Sequence, residues 1–239
     1  MRLLLYTMTT SILTIVKKHG VFFVIEGTDG SGKTEQFKRL VSRLRKERVP
    51  LATFDFPRYK HPSSYFVRQY LGGAYGSWEA VGPYKASLFY ALDRFEAAGQ
   101  VRKALSKGKV ILADRYVASN MGHQGAKIGG RKGRTKFFKW LYELEHNLLR
   151  IPQPTLTVVL HVPAKVALSL IRKRGGRRDI HEVDLSHLRR AETTYIEMAK
   201  RFPHSFKLME CVENGRLLTI GEIHEKVWAV VRQALKRRK

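Results

Sequence analysis

Residues 27–34 constrain this chain more than any other segment, because their letters, GTDGSGKT, fit the pattern G-x-x-x-x-G-K-[ST] of a phosphate-binding loop. An apolar run at residues 21–25 predicts a buried parallel strand before the loop, and apolar residues recur at helical spacing between positions 37 and 44 behind it. Glycines in such a unit let backbone N–H groups face phosphate oxygens at a helix N-terminus. The chain is therefore predicted to bind a nucleoside triphosphate, with Lys33 at the β- and γ-phosphates and the Thr34 hydroxyl on Mg²⁺.

Beyond the loop, short apolar runs alternate with helical patterns. Further strand candidates are residues 51–54, 110–113, 156–162 and 206–211. Helical patterns cover residues 83–106, 137–149, 164–173, 186–201 and 220–235. Strands separated by helices predict an α/β fold with a parallel sheet covered on both faces. We expect one domain over residues 21–239 after an extension at residues 1–20, with ligands bound beyond the carboxyl ends of the strands.

The composition, 44% hydrophobic and 27% charged, is that of a soluble globular protein. A lone cysteine, Cys211, excludes an intrachain disulfide and favours a reducing, cytoplasmic location. No apolar run approaches the roughly 20 residues that span a bilayer. We interpret residues 3–16 as a frayed extension, or as the result of a start placed before a true start at Met8, rather than as a weak signal peptide.

The net charge is +25, from 45 basic and 20 acidic residues. Such a charge would suit a nucleic-acid partner, because neutralised phosphates release counterions. No recognisable nucleic-acid-binding motif accompanies it, however. We therefore expect a basic surface that serves anionic nucleotides, and at most weak, non-specific binding to nucleic acid.

Polar motifs follow the predicted strands in order, or lie on the helix expected to face the cleft. Each motif alone is weak, and their succession is far more specific. They are Asp55-Phe56-Pro57-Arg58-Tyr59, Tyr90-Ala91-Leu92-Asp93-Arg94, Asp114-Arg115-Tyr116 with the continuation to Gly125, and the basic run at residues 172–178.

With these motifs the chain resembles the thymidylate kinases, from about residue 22 to residue 231. The resemblance implies a P-loop nucleoside monophosphate kinase fold, with a five-stranded parallel sheet and a short arginine-rich lid at about residues 172–182. It also implies a homodimer that transfers phosphate from Mg·ATP to dTMP, giving dTDP for dTTP biosynthesis.

The same resemblance implies which residues bind dTMP. Arg94 would donate to the thymine oxygen O4, which selects against the amino group of cytosine. Tyr90 would stack on the base, Pro57 would border it, and Arg58 and Arg115 would serve the monophosphate and the sugar. The full implied set is Asp29, Pro57, Arg58, Tyr59, Tyr90, Arg94, Arg115, Asn120 and Gln124.

For ATP, the metal and catalysis, the resemblance implies three overlapping sets. The ATP site would comprise Gly27, Thr28, Asp29, Gly30, Ser31, Gly32, Lys33, Thr34 and Arg174, the last stacked on adenine. Mg²⁺ would be held by Thr34, Asp29 and Asp114, with Asp29 alternatively on the sugar 3′-hydroxyl. The catalytic residues would be Lys33, Arg115, Arg177 and Arg178.

The acceptor phosphate is already anionic, so no general base is expected, and catalysis is alignment plus neutralisation of charge. Gly30 follows Asp29 where some family members carry a cation, so the lid should supply the catalytic arginine. The sequence does not choose between Arg177 and Arg178.

Three positions depart from the family pattern. Glu35 adds a carboxyl group near the metal, His123 replaces a frequent tyrosine near the sugar, and His161 stands where an acidic residue is common. Two other functions fit the sequence less well. A deoxynucleoside kinase would phosphorylate thymidine but typically carries serine where this chain has Tyr116. A nucleic-acid-binding ATPase would exploit the +25 charge, but the sequence shows no obvious second-domain or helicase-type motif.

Overall fold

The computed structural model describes residues 20–174 and 184–236, the side chain of Arg174 excepted. Its centre is a five-stranded sheet in the order β2-β3-β1-β4-β5, and all neighbouring strands are parallel. The predicted α/β architecture is thereby confirmed. The strands are β1 Val21–Gly27, β2 Leu51–Asp55, β3 Val110–Asp114, β4 Leu156–His161 and β5 Phe206–Glu210.

Helices cover both faces of this sheet. They are α1 Lys33–Lys46, α2 Tyr65–Leu71, α3 Trp78–Ser106, α4 Val117–Ser119, α5 Gly130–Tyr142, α6 Ala164–Arg174, α7 Leu185–Arg201 and α8 Ile220–Lys236. Two π-helical segments, Asn120–Gln124 and Glu143–Leu148, and two short 3₁₀ segments, Pro62–Ser64 and Gly125–Lys127, complete the helical part. Among the described helices, none is long and apolar enough to cross a membrane.

The central strand β1 is buried along its whole length, and its side chains alternate between two hydrophobic cores. Phe22 packs on the face covered by α3, α5 and α7, whereas Phe23 packs on the face covered by α1 and α8. Each of these phenylalanines is 0% exposed, and burying such a side chain contributes about 1.5–3 kcal/mol. The strand is therefore a rigid base for the loop that follows it.

Two helices differ from their sequence prediction in an informative way. The pattern at residues 83–106 is helical as expected, but a short turn from Trp78 precedes it across a kink at Gly82, whose φ of 72° is left-handed. The pattern at residues 137–149 begins earlier, at Gly130, and its second half is a π-helix over Glu143–Leu148. A π-helix accommodates an extra residue per turn and often marks a functional position.

A small hairpin, β6 Val212–Glu213 with β7 Arg216–Leu217, was not expected from the apolar pattern. Its turn residues, Asn214 and Gly215, have φ values of 51° and 75°, which suits a tight hairpin turn. Residues 1–19 of the expected extension lie outside the described part of the chain. So do residues 175–183 of the expected lid, including Arg177 and Arg178.

Candidate active site

The phosphate loop lies between β1 and α1, where the sequence pattern placed it. Gly27, Gly30 and Gly32 all have positive φ, at 144°, 77° and 82°. A Cβ on Gly30 would come within 2.5 Å of the Ala167 carbonyl oxygen, so only glycine fits there. Gly32 directly precedes α1, whose first-turn N–H groups are therefore available to an anion.

Three charged side chains meet at this loop. Lys33 is 6% exposed, and its Nζ donates to the Thr28 carbonyl oxygen at 2.7 Å and lies 3.9 Å from Asp29 Oδ1. Burial lowers the pKa of Lys33 to about 8, with the Arg115 charge acting in the same direction. A bound phosphate would raise that pKa again, because opposite charges favour the ionised ammonium.

Asp29 is ion-paired with Arg115, whose Nη2 donates to Asp29 Oδ1. Burial opposes ionisation of the carboxyl group, but Arg115 and Lys33 hold the pKa of Asp29 well below its usual range. Arg115 itself has a left-handed φ of 64°, and its N–H donates to the Ile25 carbonyl oxygen at 3.0 Å. The ion pair therefore joins the end of β3 to the phosphate loop.

The predicted metal ligands lie at the start of α1 and the end of β3. Thr34 Oγ1 donates to Asp114 Oδ2 at 3.2 Å. Asp114 Oδ1 is buried and has no hydrogen-bond partner among the described residues. A hydroxyl group and a carboxylate with an unused oxygen fit a Mg²⁺ ion that keeps most of its waters. Asp29, the third predicted ligand, faces cations instead, so its role as a metal ligand stays a prediction.

A cavity beside the loop, the substrate cavity, brings together eight of the nine residues predicted for dTMP. These are Asp29, Pro57, Tyr59, Tyr90, Arg94, Arg115, Asn120 and Gln124. Seven other residues complete its lining: Phe56, Leu71, Tyr116, Ser119, His123, Lys127 and His187. The role of each residue in binding dTMP remains a prediction, but the eight residues line a single cavity.

Arg58 is the predicted dTMP residue that does not line the substrate cavity. Its backbone N–H and its Nε donate to the Asp93 carboxylate at 2.8 and 3.1 Å, and its Nη2 donates to Ser63 Oγ at 2.8 Å. Asp93, on α3, is 1% exposed and forms an ion pair with Arg58. In this position Arg58 holds the loop after β2 against α3, and its contact with the monophosphate stays a prediction.

Arg94 is held from behind by a residue that the sequence analysis missed. Its Nε and Nη2 each donate to the Glu145 carboxylate at 2.6 Å, and both side chains are almost completely buried. Burial alone would lower the pKa of Arg94, but Glu145 raises it above its usual range. Nη1 has only a long contact of 3.5 Å, to the Tyr116 carbonyl oxygen. This nitrogen is the one left for a ligand in the cavity.

Two amide side chains, Asn120 and Gln124, line the same cavity as Arg94. Asn120 Nδ2 donates to the Ser87 carbonyl oxygen at 3.1 Å and to Glu145 Oε1 at 3.2 Å. Gln124 Oε1 is buried without a hydrogen-bond partner among the residues described. A buried unpaired acceptor is costly unless something donates to it. The wall thus offers a donor, Arg94 Nη1, and an acceptor, Gln124 Oε1.

Two histidines line the cavity on the side of Asp29. Arg115 Nη1 lies 3.2 Å from His123 Nε2, and because an arginine only donates, this nitrogen must accept. Burial lowers the pKa of His123 well below its usual value, which keeps the ring neutral. The ring of His187, on α7, stacks 5.9 Å from that of His123. His187, like Leu71 and Lys127, lines the cavity although the sequence motifs did not indicate it.

Two further charged residues are structural. Glu26, fully buried at the end of β1, accepts hydrogen bonds from the Tyr116 N–H at 2.7 Å, Ser119 Oγ at 2.9 Å and Tyr195 Oη at 3.0 Å. Burial raises the pKa of Glu26. His161, one of the departures noted above, bonds Glu192 at 2.9 Å and Glu210 at 2.5 Å, and so ties β4 to α7 and β5.

A phosphate loop on the first strand of a parallel sheet, facing a cavity with a donor and an acceptor for a base, defines a P-loop kinase of nucleoside monophosphates. A model of the thymidylate kinase family matches residues 25–216 of this chain. The chain belongs to the thymidylate kinase family, and it is accordingly an ATP-dependent kinase that converts dTMP to dTDP.

Individual relatives agree with this assignment. The thymidylate kinase of Thermomicrobium roseum is 31% identical over 220 residues, which cover 90% of this chain and 96% of the relative. A probable thymidylate kinase of Pyrococcus abyssi is 29% identical over 227 residues, covering 90% and 98%. The solved structure of thymidylate kinase from Candida albicans shares the fold, with a TM-score of 0.72 at 20% identity over 92% of this chain and 94% of that one.

Proposed function

We propose that this chain recognises dTMP through Arg94 and Gln124 and transfers to it the γ-phosphate of Mg·ATP held by the phosphate loop. The observation that carries this proposal is the presence, in the lining of the substrate cavity, of a donor with only one long hydrogen bond, Arg94 Nη1, and an acceptor without a partner among the described residues, Gln124 Oε1. Thymine presents the matching groups, an acceptor at O4 and a donor at N3–H. Cytosine presents a donor at N4 and an acceptor at N3, so both contacts would be mismatched.

Purified protein with Mg·ATP should therefore turn over dTMP with a much higher kcat/KM than dCMP. A coupled assay with dTMP, dUMP, dCMP, AMP and thymidine as acceptors measures this directly. Equal turnover of dCMP and dTMP would contradict the recognition by Arg94 and Gln124. Phosphorylation of thymidine but not of dTMP would instead make the chain a deoxynucleoside kinase.

Two variants test the proposed role of the Gln124 side chain as the acceptor for dTMP. Gln124→Leu should lower kcat/KM for dTMP by roughly tenfold, the effect of one hydrogen bond lost from a buried group, and should affect dCMP less. Gln100→Leu, at an exposed position of α3, is the matched control and should leave both substrates unchanged.

Catalysis requires no proton transfer by the protein, because the attacking phosphate oxygen of dTMP is already ionised. Lys33 and Arg115 are placed to orient and neutralise the phosphates, and Thr34 and Asp114 would hold Mg²⁺. When bound there, the ion would supply positive charge that offsets the negative charge of the ATP phosphates. Arg174, Arg177 and Arg178 of the lid complete the proposal, with Arg174 on adenine and one of the other two at the γ-phosphate.

We further propose that the chain forms a homodimer through α3. Leu88, Leu92 and Phe95 recur on one face of this helix and are 39%, 41% and 49% exposed. Gly99 continues the face without a side chain, and nothing lies within 4 Å of a Cβ built there. Phe66, on the adjoining helix α2, is 42% exposed. An exposed apolar patch of this kind favours a protein partner, and a second copy would cover it symmetrically.

Light scattering or sedimentation should find a dimer for the native chain and a monomer for Leu92→Glu, because a buried unpaired carboxylate is costly at an interface. Leu148→Glu is the control, since Leu148 is 73% exposed and lies outside this face. A native chain that sediments as a monomer at all concentrations would rule the α3 interface out.

A further inference from the structure

A second cavity, of about 590 Å³, lies on the other side of Tyr116 from the substrate cavity. It is lined by α4 with the π-helix Asn120–Gln124, by the second half of α5 with the π-helix after it, by the chain entering β4, and by the chain between α7 and β5. Its volume falls within the roughly 300–1,000 Å³ of small-molecule sites. The base-recognition proposal does not use this space.

The lining is mainly apolar and aromatic, with Phe138, Leu141, Phe202 and Phe206 among its members. Aromatic side chains of this kind pack best on a flat ring. Tyr116 stands in the wall between the two cavities, and its hydroxyl oxygen is buried with no partner among the described residues.

The lining of the second cavity carries more basic than acidic side chains. Lys139 and Arg201 are cations, and the Lys139 ammonium makes no ion pair or hydrogen bond within the described ranges. Arg201 Nη1 donates a hydrogen bond to Thr135 Oγ1 at 2.7 Å, and this uncharged partner does not neutralise the guanidinium group. The one acidic residue of the lining, Glu143, already accepts a hydrogen bond from Asn147 at 2.7 Å. The cavity therefore favours an anion.

From these features we infer that the second cavity binds a compact aromatic molecule that carries one negative charge, a sulfonate or carboxylate. The ring would pack among the phenylalanines, and the anionic group would reach Lys139 and Arg201. The π-helix Glu143–Leu148 contributes Glu143 and His146 to this cavity and presents Glu145 to Arg94. An occupant would thus touch the element that holds the base-recognising arginine.

The test uses the full chain and 8-anilinonaphthalene-1-sulfonate, whose emission rises in apolar sites. One saturable site is expected, and it should persist when dTMP and ATP are both present in excess. The uncharged analogue N-phenyl-1-naphthylamine should bind more weakly, because it lacks the sulfonate. Displacement of the sulfonate probe by dTMP or ATP would locate it in the substrate site and overturn the inference.

Variants assign the site to this cavity. Lys139→Glu with Arg201→Glu should weaken binding of the sulfonate probe by roughly tenfold or more, because both attractive charges become repulsive. Lys136→Glu with Lys200→Glu changes the net charge equally at exposed neighbouring positions outside the cavity, and should leave binding within about twofold. Equal losses in the two double variants would show a general charge effect and would overturn the inference.

A variant that fills the second cavity tests whether the probe binds in its apolar part. Met121→Trp should abolish binding by occupying the space, and thermal melting and turnover of dTMP report whether the variant is folded. Should it fail to fold, the charge-reversal pair decides alone. Binding that is undiminished in a folded Met121→Trp protein would place the probe elsewhere, for example on the exposed face of α3, and would overturn the inference.

Discussion

Lys33→Met is expected to reduce turnover of dTMP to less than about a tenth of the native rate, a loss of more than ~1.4 kcal/mol in transition-state stabilisation. The Lys33 ammonium is fixed at the loop by the Thr28 carbonyl oxygen, 2.7 Å away, where it would meet the β- and γ-phosphates. Methionine keeps most of the length and bulk of the side chain and removes the charge. The measurement is kcat in the coupled assay.

The same substitution should leave the fold intact. Burial lowers the pKa of Lys33 to about 8, so the ionised ammonium is less favourable in the folded chain than in the unfolded one, and removing its charge should not cost stability. Circular dichroism and the melting temperature should stay near the native values. Lys38→Met, at an exposed position of the same helix, should change neither activity nor stability. If Lys33→Met kept more than a tenth of the native rate, Lys33 would not hold the phosphates as proposed.

Replacing Arg177 and Arg178 together by alanine is expected to lower kcat by roughly 10³-fold, the scale of an arginine that neutralises a transferring phosphoryl group. At the phosphate loop the described cations are Lys33 and Arg115, and Arg115 is already paired with Asp29. Gly30 adds no charge to the loop. We therefore expect the lid arginines to supply further positive charge at the γ-phosphate. The KM for dTMP should move little, because these side chains would contact only the donor.

A charge-matched control separates catalysis from general electrostatics. Arg189→Ala with Arg190→Ala removes two exposed arginines from α7, just beyond the lid, and should leave kcat nearly unchanged. Arg174→Ala should instead raise the KM for ATP, through loss of stacking worth about 0.5–2 kcal/mol. The single variants then identify which of Arg177 and Arg178 acts. A near-normal kcat in the double variant would mean that another cation neutralises the charge.

The sequence predicted those features that depend on local pattern. The loop follows a buried strand because residues 21–25 are apolar and residues 27–34 are rich in glycine, and parallel strands bring their carboxyl ends to one edge. Motifs far apart in the chain, such as those containing Pro57, Arg94 and Arg115, therefore meet in one cavity. The Asn214-Gly215 turn carried an equally local signal for a hairpin, which the apolar pattern alone overlooked.

The partners of the site residues could not be predicted in this way. Glu145 lies 51 positions from Arg94, in a segment whose letters indicate an ordinary amphipathic helix, and only the packing of α3 against the π-helix brings them together. His187, on α7, likewise reaches the cavity only through the packing of elements that are distant in the sequence. The pairing of Arg58 with Asp93 was equally hidden, because two charged residues in separate motifs give no sign of whether they meet a ligand or each other.

Helix α3 carries residues of the nucleotide site on one face and the proposed dimer contact on another. Asp93 and Arg94 point inward and organise the nucleotide wall, while Leu92 and Phe95, their immediate neighbours in the chain, lie on the proposed contact with a second copy. A shift of this rod on association would reach the base-binding arginine directly. By thermodynamic reciprocity, nucleotide binding would then change the self-association constant by the same factor by which association changes nucleotide affinity. Apparent substrate affinity would consequently vary with enzyme concentration near the monomer–dimer midpoint, where dilution itself acts as an effector.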